Sequence, residues 1–109
     1  MSSMIKNKDI DSVVESLTFV YKKMLQYNYL QFSYGVKRVI AHLKNISPDH
    51  LHNALSCWST LSRAGFHFQV YSDNPKQDRK VNKEIQEHID IIDQFFDELF
   101  NELRVIGTY

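Results

Sequence analysis

The stretch Val81 to Ile106, VNKEIQEHIDIIDQFFDELFNELRVI, constrains the fold more than any other part of the chain. At about 100° per residue, Val81, Ile85, Ile89, Ile92, Phe96, Leu99 and Leu103 fall on one stripe. An apolar stripe with that period makes an amphipathic helix that must bury one face. The other face carries seven acids and no lysine or arginine between Glu84 and Leu103. Glu84, Glu87, Glu98 and Glu102 cluster away from the stripe, and Asp90, Asp93 and Asp97 lie beside them. Ile91 falls among the glutamates. A helix this long needs other elements to cover its stripe.

Three shorter helical segments can supply that cover. Ile10, Val13, Leu17, Val20, Tyr21 and Met24 share one face and predict a helix over about 10–27. Ser12 and Glu15 have the spacing of a capping box, and Asp9 is an alternative cap. Tyr27, Tyr29, Phe32 and Tyr34 crowd the next stretch, where a turn is expected near Asn28 to Ser33. A second helix over about 32–45 then places Phe32, Val36, Val39, Ile40 and Leu43 inward. Its other side is basic, with Lys37, Arg38 and Lys44. Ser47-Pro48-Asp49 opens a third helix over about 48–64, because proline at the first helical position loses no hydrogen bond. Gly65 followed by Phe66 predicts a Schellman stop.

Phe66 to Tyr71 alternates apolar and polar residues and reads as a short extended connector. Ser72 to Lys80 reads as a mobile polar loop with a turn at Asn74-Pro75, so the fourth helix is expected over about 78–106. With 109 residues the chain has room for one domain. The expected fold is all-α. It is a small four-helix bundle or a variant of one, with a long C-terminal helix and the short extended connector near 66–71.

Composition narrows the function. Thirteen acids balance thirteen bases, which disfavours a general nucleic-acid coat. The charges are segregated, however. Lys22 to Tyr71 holds six bases and one acid, and Ser72 onward holds nine acids and five bases. Such separation speeds docking to a complementary partner. The single cysteine, Cys57, excludes an intramolecular disulfide. No apolar run reaches the roughly 18 residues of a membrane span, and MSSMIKNKDID lacks a signal-peptide core. A cytoplasmic protein is expected.

Catalytic chemistry finds little support. Cys57 beside Trp58 reads as a small core residue, since no histidine stands at a nucleophile-activating spacing. His50 and His52 are two apart and face different ways on a helix. Glu84 and His88 share a face but have no second such pair, so no metal site is expected. Arg38 and His42, like Arg63 and His67, are separated by three residues. Helical ribonucleases of the HEPN type space Arg and His by four to six residues, so no catalytic role is carried over. Three glycines make no phosphate loop.

The pattern points to a non-catalytic protein that binds a basic partner through the acidic helix face. A concrete form is an immunity or inhibitor protein that neutralises a nuclease toxin, whose active site is basic because its substrate is polyanionic. The residues expected to make contact are Glu84, Glu87, Asp90, Ile91, Asp93, Asp97, Glu98 and Glu102, with Tyr71 as a secondary contact. No cofactor is expected, and a monomer or weak dimer fits. One alternative is an RNA-directed protein that uses Arg38, Arg63 and the aromatic stretch 27–34. Another is a homo-oligomer that buries those aromatics, and plain solvation of the acids is a further reading.

Overall fold

The computed structural model describes residues 7–45 and 49–105. It contains four α-helices, α1 (Asn7–Gln26), α2 (Ser33–Lys44), α3 (His50–Arg63) and α4 (Pro75–Val105), and no strand among the described residues. The molecule measures 52 × 22 × 21 Å. α4 alone, at 31 residues, spans about 46 Å at 1.5 Å per residue.

The helices form a ring in which α4 packs on α1, α1 on α2 and α2 on α3. The α3/α4 seam closes the ring more loosely than the other three sides. The diagonal pairs α1 with α3 and α2 with α4 make no close approach. Inside the ring, Val13, Leu17, Val20 and Met24 of α1 meet Val36, Val39 and Leu43 of α2, with Ala54, Leu55, Trp58 and Leu61 of α3. α4 contributes Val81, Ile85, Ile92, Phe95, Phe96, Leu99 and Leu103. Complete burial of each such large side chain stabilises by about 1.5–3 kcal/mol. Phe95 extends the expected stripe and Ile89 is only half-buried. A helix wedged between two neighbours buries a wider arc than one stripe.

Two helices end in the same way. Gly65 sits at φ +84°, with Phe66 N donating to Leu61 O at 3.0 Å and Gly65 N to Ser62 O at 3.2 Å. This is the Schellman stop expected for α3. α1 ends with Asn28 at φ +56°, Tyr29 N donating to Met24 O at 2.8 Å and Asn28 N to Leu25 O at 3.2 Å. Asparagine is the side chain that best tolerates this left-handed position after glycine. The aromatics just past the two stops then meet. Tyr29 packs on Phe68 with ring centroids 4.8 Å apart, and Phe32 on Phe66 at 5.4 Å. The Tyr29 hydroxyl donates to the His67 carbonyl. The aromatic stretch is thus a packed corner, with Tyr34 the member left exposed.

Two boundaries differ from the sequence reading. α1 is already helical at Asn7, so Ser12 and Glu15 lie within it as exposed residues and form no capping box. The spacing fits a box, but a helix already running through Asp9 leaves no start to cap. The expected cap at Ser47-Pro48 lies outside the described residues, as does the end at Gly107. α4 begins at Pro75, and Ser72 to Lys80 is mostly helix and its tether. Asn74 caps it, its Oδ1 accepting from Gln77 N at 3.2 Å, and Pro75 takes the first position. The buried Asp78 carboxylate accepts from Ser72 N and Ser72 Oγ, both at 2.7 Å.

The connector is neither helix nor strand, and its burial alternates as expected, with Phe68 and Val70 buried and His67, Gln69 and Tyr71 outward. Among the described residues it has no strand partner. Instead the Asn82 side chain accepts from Val70 N at 2.6 Å and donates to Val70 O at 3.0 Å. One amide side chain does the work of a neighbouring strand.

Candidate functional site

α1 and α3 flank α4, so its acidic surface divides into two sides. The Asp93 carboxylate turns toward α3, and Asp97 lines the seam with it. His88, with Nδ1 3.0 Å from Ser16 Oγ and its ring stacked on Phe19 at 4.1 Å, marks the α1 side. At about 100° per residue, Glu84, Ile91, Glu98 and Glu102 fall toward the α1 side and Glu87 and Asp90 on the outermost arc.

The expected contact residues fare as follows. Glu87, Asp90, Asp97 and Glu98 are exposed, and Glu84 and Glu102 are half-buried. Ile91 is 43% exposed, as expected of an apolar residue among acids. Asp90 accepts from Gln86 Nε2 at 2.8 Å, and Glu98 from Gln94 Nε2 at 3.2 Å. Both donors are neutral, so they order the carboxylates without cancelling their charge. Lys80 and Lys83 stand one turn before Glu84 and Glu87, and this partly offsets the N-terminal end of the face. The acidic field is therefore strongest from Asp90 onward. Tyr71 is 83% exposed, and the neighbouring Ser72–Asp78 tether holds it at one end of the acidic run.

Asp93 has a second task that the sequence did not reveal. Its Oδ1 accepts from Trp58 Nε1 at 3.0 Å across the seam. Burial pushes the Asp93 carboxyl above its usual value; the indole hydrogen bond pulls it back, and the charges of Asp97 and Asp90 push it up again. Trp58 is held between Phe96, stacked at 5.7 Å, and Phe66 at 5.4 Å. Two hollows of about 250 and 300 Å³ flank this bond and share Trp58, Ser62 and Asp93 in their walls. Nothing in the local sequence pairs residues 35 positions apart.

The bases of α2 do not cover this surface. Lys37, Arg38 and Lys44 belong to the helix diagonally opposite α4. Arg38 stands over the Tyr34 ring at 6.0 Å and lines the α2/α3 groove, whereas Arg63 lines the α3/α4 seam. The two arginines of the RNA-directed alternative therefore line different grooves. Cys57 is half-buried and 3.6 Å from the Gly35 carbonyl. Burial raises its thiol and the Arg38 charge lowers it in part. A raised thiol stays protonated and is a poor nucleophile.

Among the described residues, no three His, Cys, Asp or Glu are placed to hold a metal ion. No helix among them is long and apolar enough to cross a membrane. Compared with known proteins, the chain matches no family model, no curated protein and no solved structure.

Proposed function

We propose that the chain is a non-catalytic binding protein that docks a basic partner protein with the acidic surface of α4. One observation carries this reading: the basic side of α2, with Lys37, Arg38 and Lys44, lies diagonally across the bundle from α4 and does not cover its acids. Asp90, Asp97 and Glu98 are exposed, so their field reaches solvent, offset only in part by Lys80, Lys83 and Arg63. A surface field dominated by one sign accelerates encounter with a surface of the other sign. Ile91 supplies an apolar contact of the kind that anchors an interface centre. The concrete form is an inhibitor of a basic nuclease toxin, since an acidic helix can occupy a site built for a polyanion.

The test compares the wild-type chain with the Glu87→Lys/Asp90→Lys double variant as bait in extracts of the native host. Both positions are exposed, so the fold should survive. The wild type is expected to retain a basic protein, identified by mass spectrometry, whose nuclease activity falls as the chain is added. Equal retention and equal inhibition by the double variant would overturn the proposal.

A further inference from the structure

The face opposite α4 carries a groove of its own, between α2 and α3, with a volume of about 430 Å³. α2 contributes Tyr34, Arg38 and His42, and α3 contributes Asn53, Ser56 and Thr60. The spacing is four on α2 and three or four on α3, so each set lies along one helix face. Among the described residues, no acid lines the groove. These are the most closely packed helices in the molecule, and Gly35 lies at their contact against Leu61. A Cβ there would stand 2.4 Å from Leu61 Cδ2, so a side chain at 35 would have to push that Leu61 methyl aside.

The polar groups in the groove are mainly donors. The Arg38 guanidinium stands over the Tyr34 ring at 6.0 Å, which limits the orientations it samples. Its planar fork matches two oxygens of a phosphate. Thr60 uses its hydroxyl proton on the Ser56 carbonyl at 2.9 Å. That leaves the Asn53 amide and the Ser56 hydroxyl to donate from the α3 wall, with the His42 ring on the α2 wall. Tyr34 is 72% exposed, and Arg38 occupies one side of its ring. An aromatic face at the rim of an anion-binding groove suits a planar base.

We propose that the α2/α3 groove binds a nucleoside phosphate, with Arg38, Asn53 and Ser56 on the phosphate and Tyr34 under the base. The site is independent of the α4 surface, because α2 and α4 do not meet. A free nucleotide and a unit of single-stranded nucleic acid present the same chemistry.

Titration of the full chain with inorganic phosphate, AMP and a six-nucleotide oligoadenylate, followed by two-dimensional NMR, tests this. AMP is expected to shift the side-chain signals of Arg38 and Asn53 and the amides of Ser56 and Thr60, and inorganic phosphate to compete more weakly. Arg38→Ala should weaken AMP and phosphate about tenfold, the loss of one charge-assisted hydrogen bond. Tyr34→Ala should weaken AMP about tenfold and leave phosphate unchanged. Arg38 and Tyr34 are both exposed, and a melting curve confirms that each variant is folded. The oligonucleotide arm identifies the source. Tighter, strongly salt-dependent binding at these residues assigns the site to a strand, and binding equal to AMP assigns it to a free nucleotide; both support the site. Three results overturn it: no saturable shift, shifts spread over Lys22, Lys23 and Lys44 that persist in Arg38→Ala, or AMP binding indifferent to Tyr34→Ala.

Discussion

Asp93 shows how one residue can serve both the fold and the surface. Its carboxyl is raised in the folded protein, chiefly by burial. A raised acid prefers its proton in the folded state. Its contribution to stability is complete below the unfolded pKa, near 3.8, and is lost as pH rises through the folded value. At neutral pH the Asp93 charge therefore opposes folding. Asp93→Asn keeps an Oδ1 for the Trp58 indole and removes the charge. It should melt above the wild type at pH 7, with the difference closing as pH falls through the carboxylate range. Equal melting temperatures at pH 7 would show that the indole bond and solvent already offset the burial.

The two glycines with structural roles fail in different ways when given a side chain. Gly65 has open space around its Cβ position, so Gly65→Ala costs only its left-handed backbone, about 1 kcal/mol. Gly35→Ala meets the methyl end of the flexible Leu61 side chain, which must turn aside, and should cost about 1 kcal/mol by overpacking. Denaturant melts of Gly35→Ala with and without Leu61→Ala separate the two cases, because only a packing clash is relieved by trimming its partner.

At the scale of elements, the connector depends on α4 for its order. Asn82→Ala removes both hydrogen bonds to Val70 and leaves the Val70 N–H and carbonyl half-buried without partners. The expected cost is about 1–3 kcal/mol, with faster hydrogen exchange at the Val70 amide than at Leu17 or Ile92. Unchanged exchange would mean that Phe68 and Val70 hold the segment by burial alone.

Helix periodicity was legible in the sequence wherever one face dominated. The stripe from Val81 to Leu103 and the stop at Gly65-Phe66 could be read because each is written within a few consecutive turns. The start of α4 was written as clearly, in Asn74-Pro75. It was missed because Lys76 to Lys80 are polar and present no stripe until Val81. Polar residues can start a helix whose packing begins a turn later. The Trp58–Asp93 bond and the Asn82 latch could not be read at all. Each joins distant positions through a geometry that exists only once the bundle is closed.

For the molecule as a whole, the ring order decides what charge segregation can do. Because α2 and α4 occupy opposite corners, the bases of α2 and the acids of α4 face away from each other. The bundle therefore carries a transverse electrical asymmetry at zero net charge. Association with a basic partner should then slow as salt rises, since screening acts within about 10 Å at 0.1 M. The Glu87→Lys/Asp90→Lys variant should show a lower association rate and a flatter salt dependence by stopped-flow mixing. A dissociation rate changed alone would assign those residues to short-range contacts and remove their steering role.

The single tryptophan stands on the loosest seam of the ring, its indole bonded to α4 while its backbone belongs to α3. Intrinsic fluorescence of this protein is therefore a strain gauge for that seam. A ligand that pries α3 from α4 would strip the indole of its acceptor and expose it to quenchers such as iodide. One that binds elsewhere would leave the emission unmoved. The molecule carries its own label at the place where it is most readily opened.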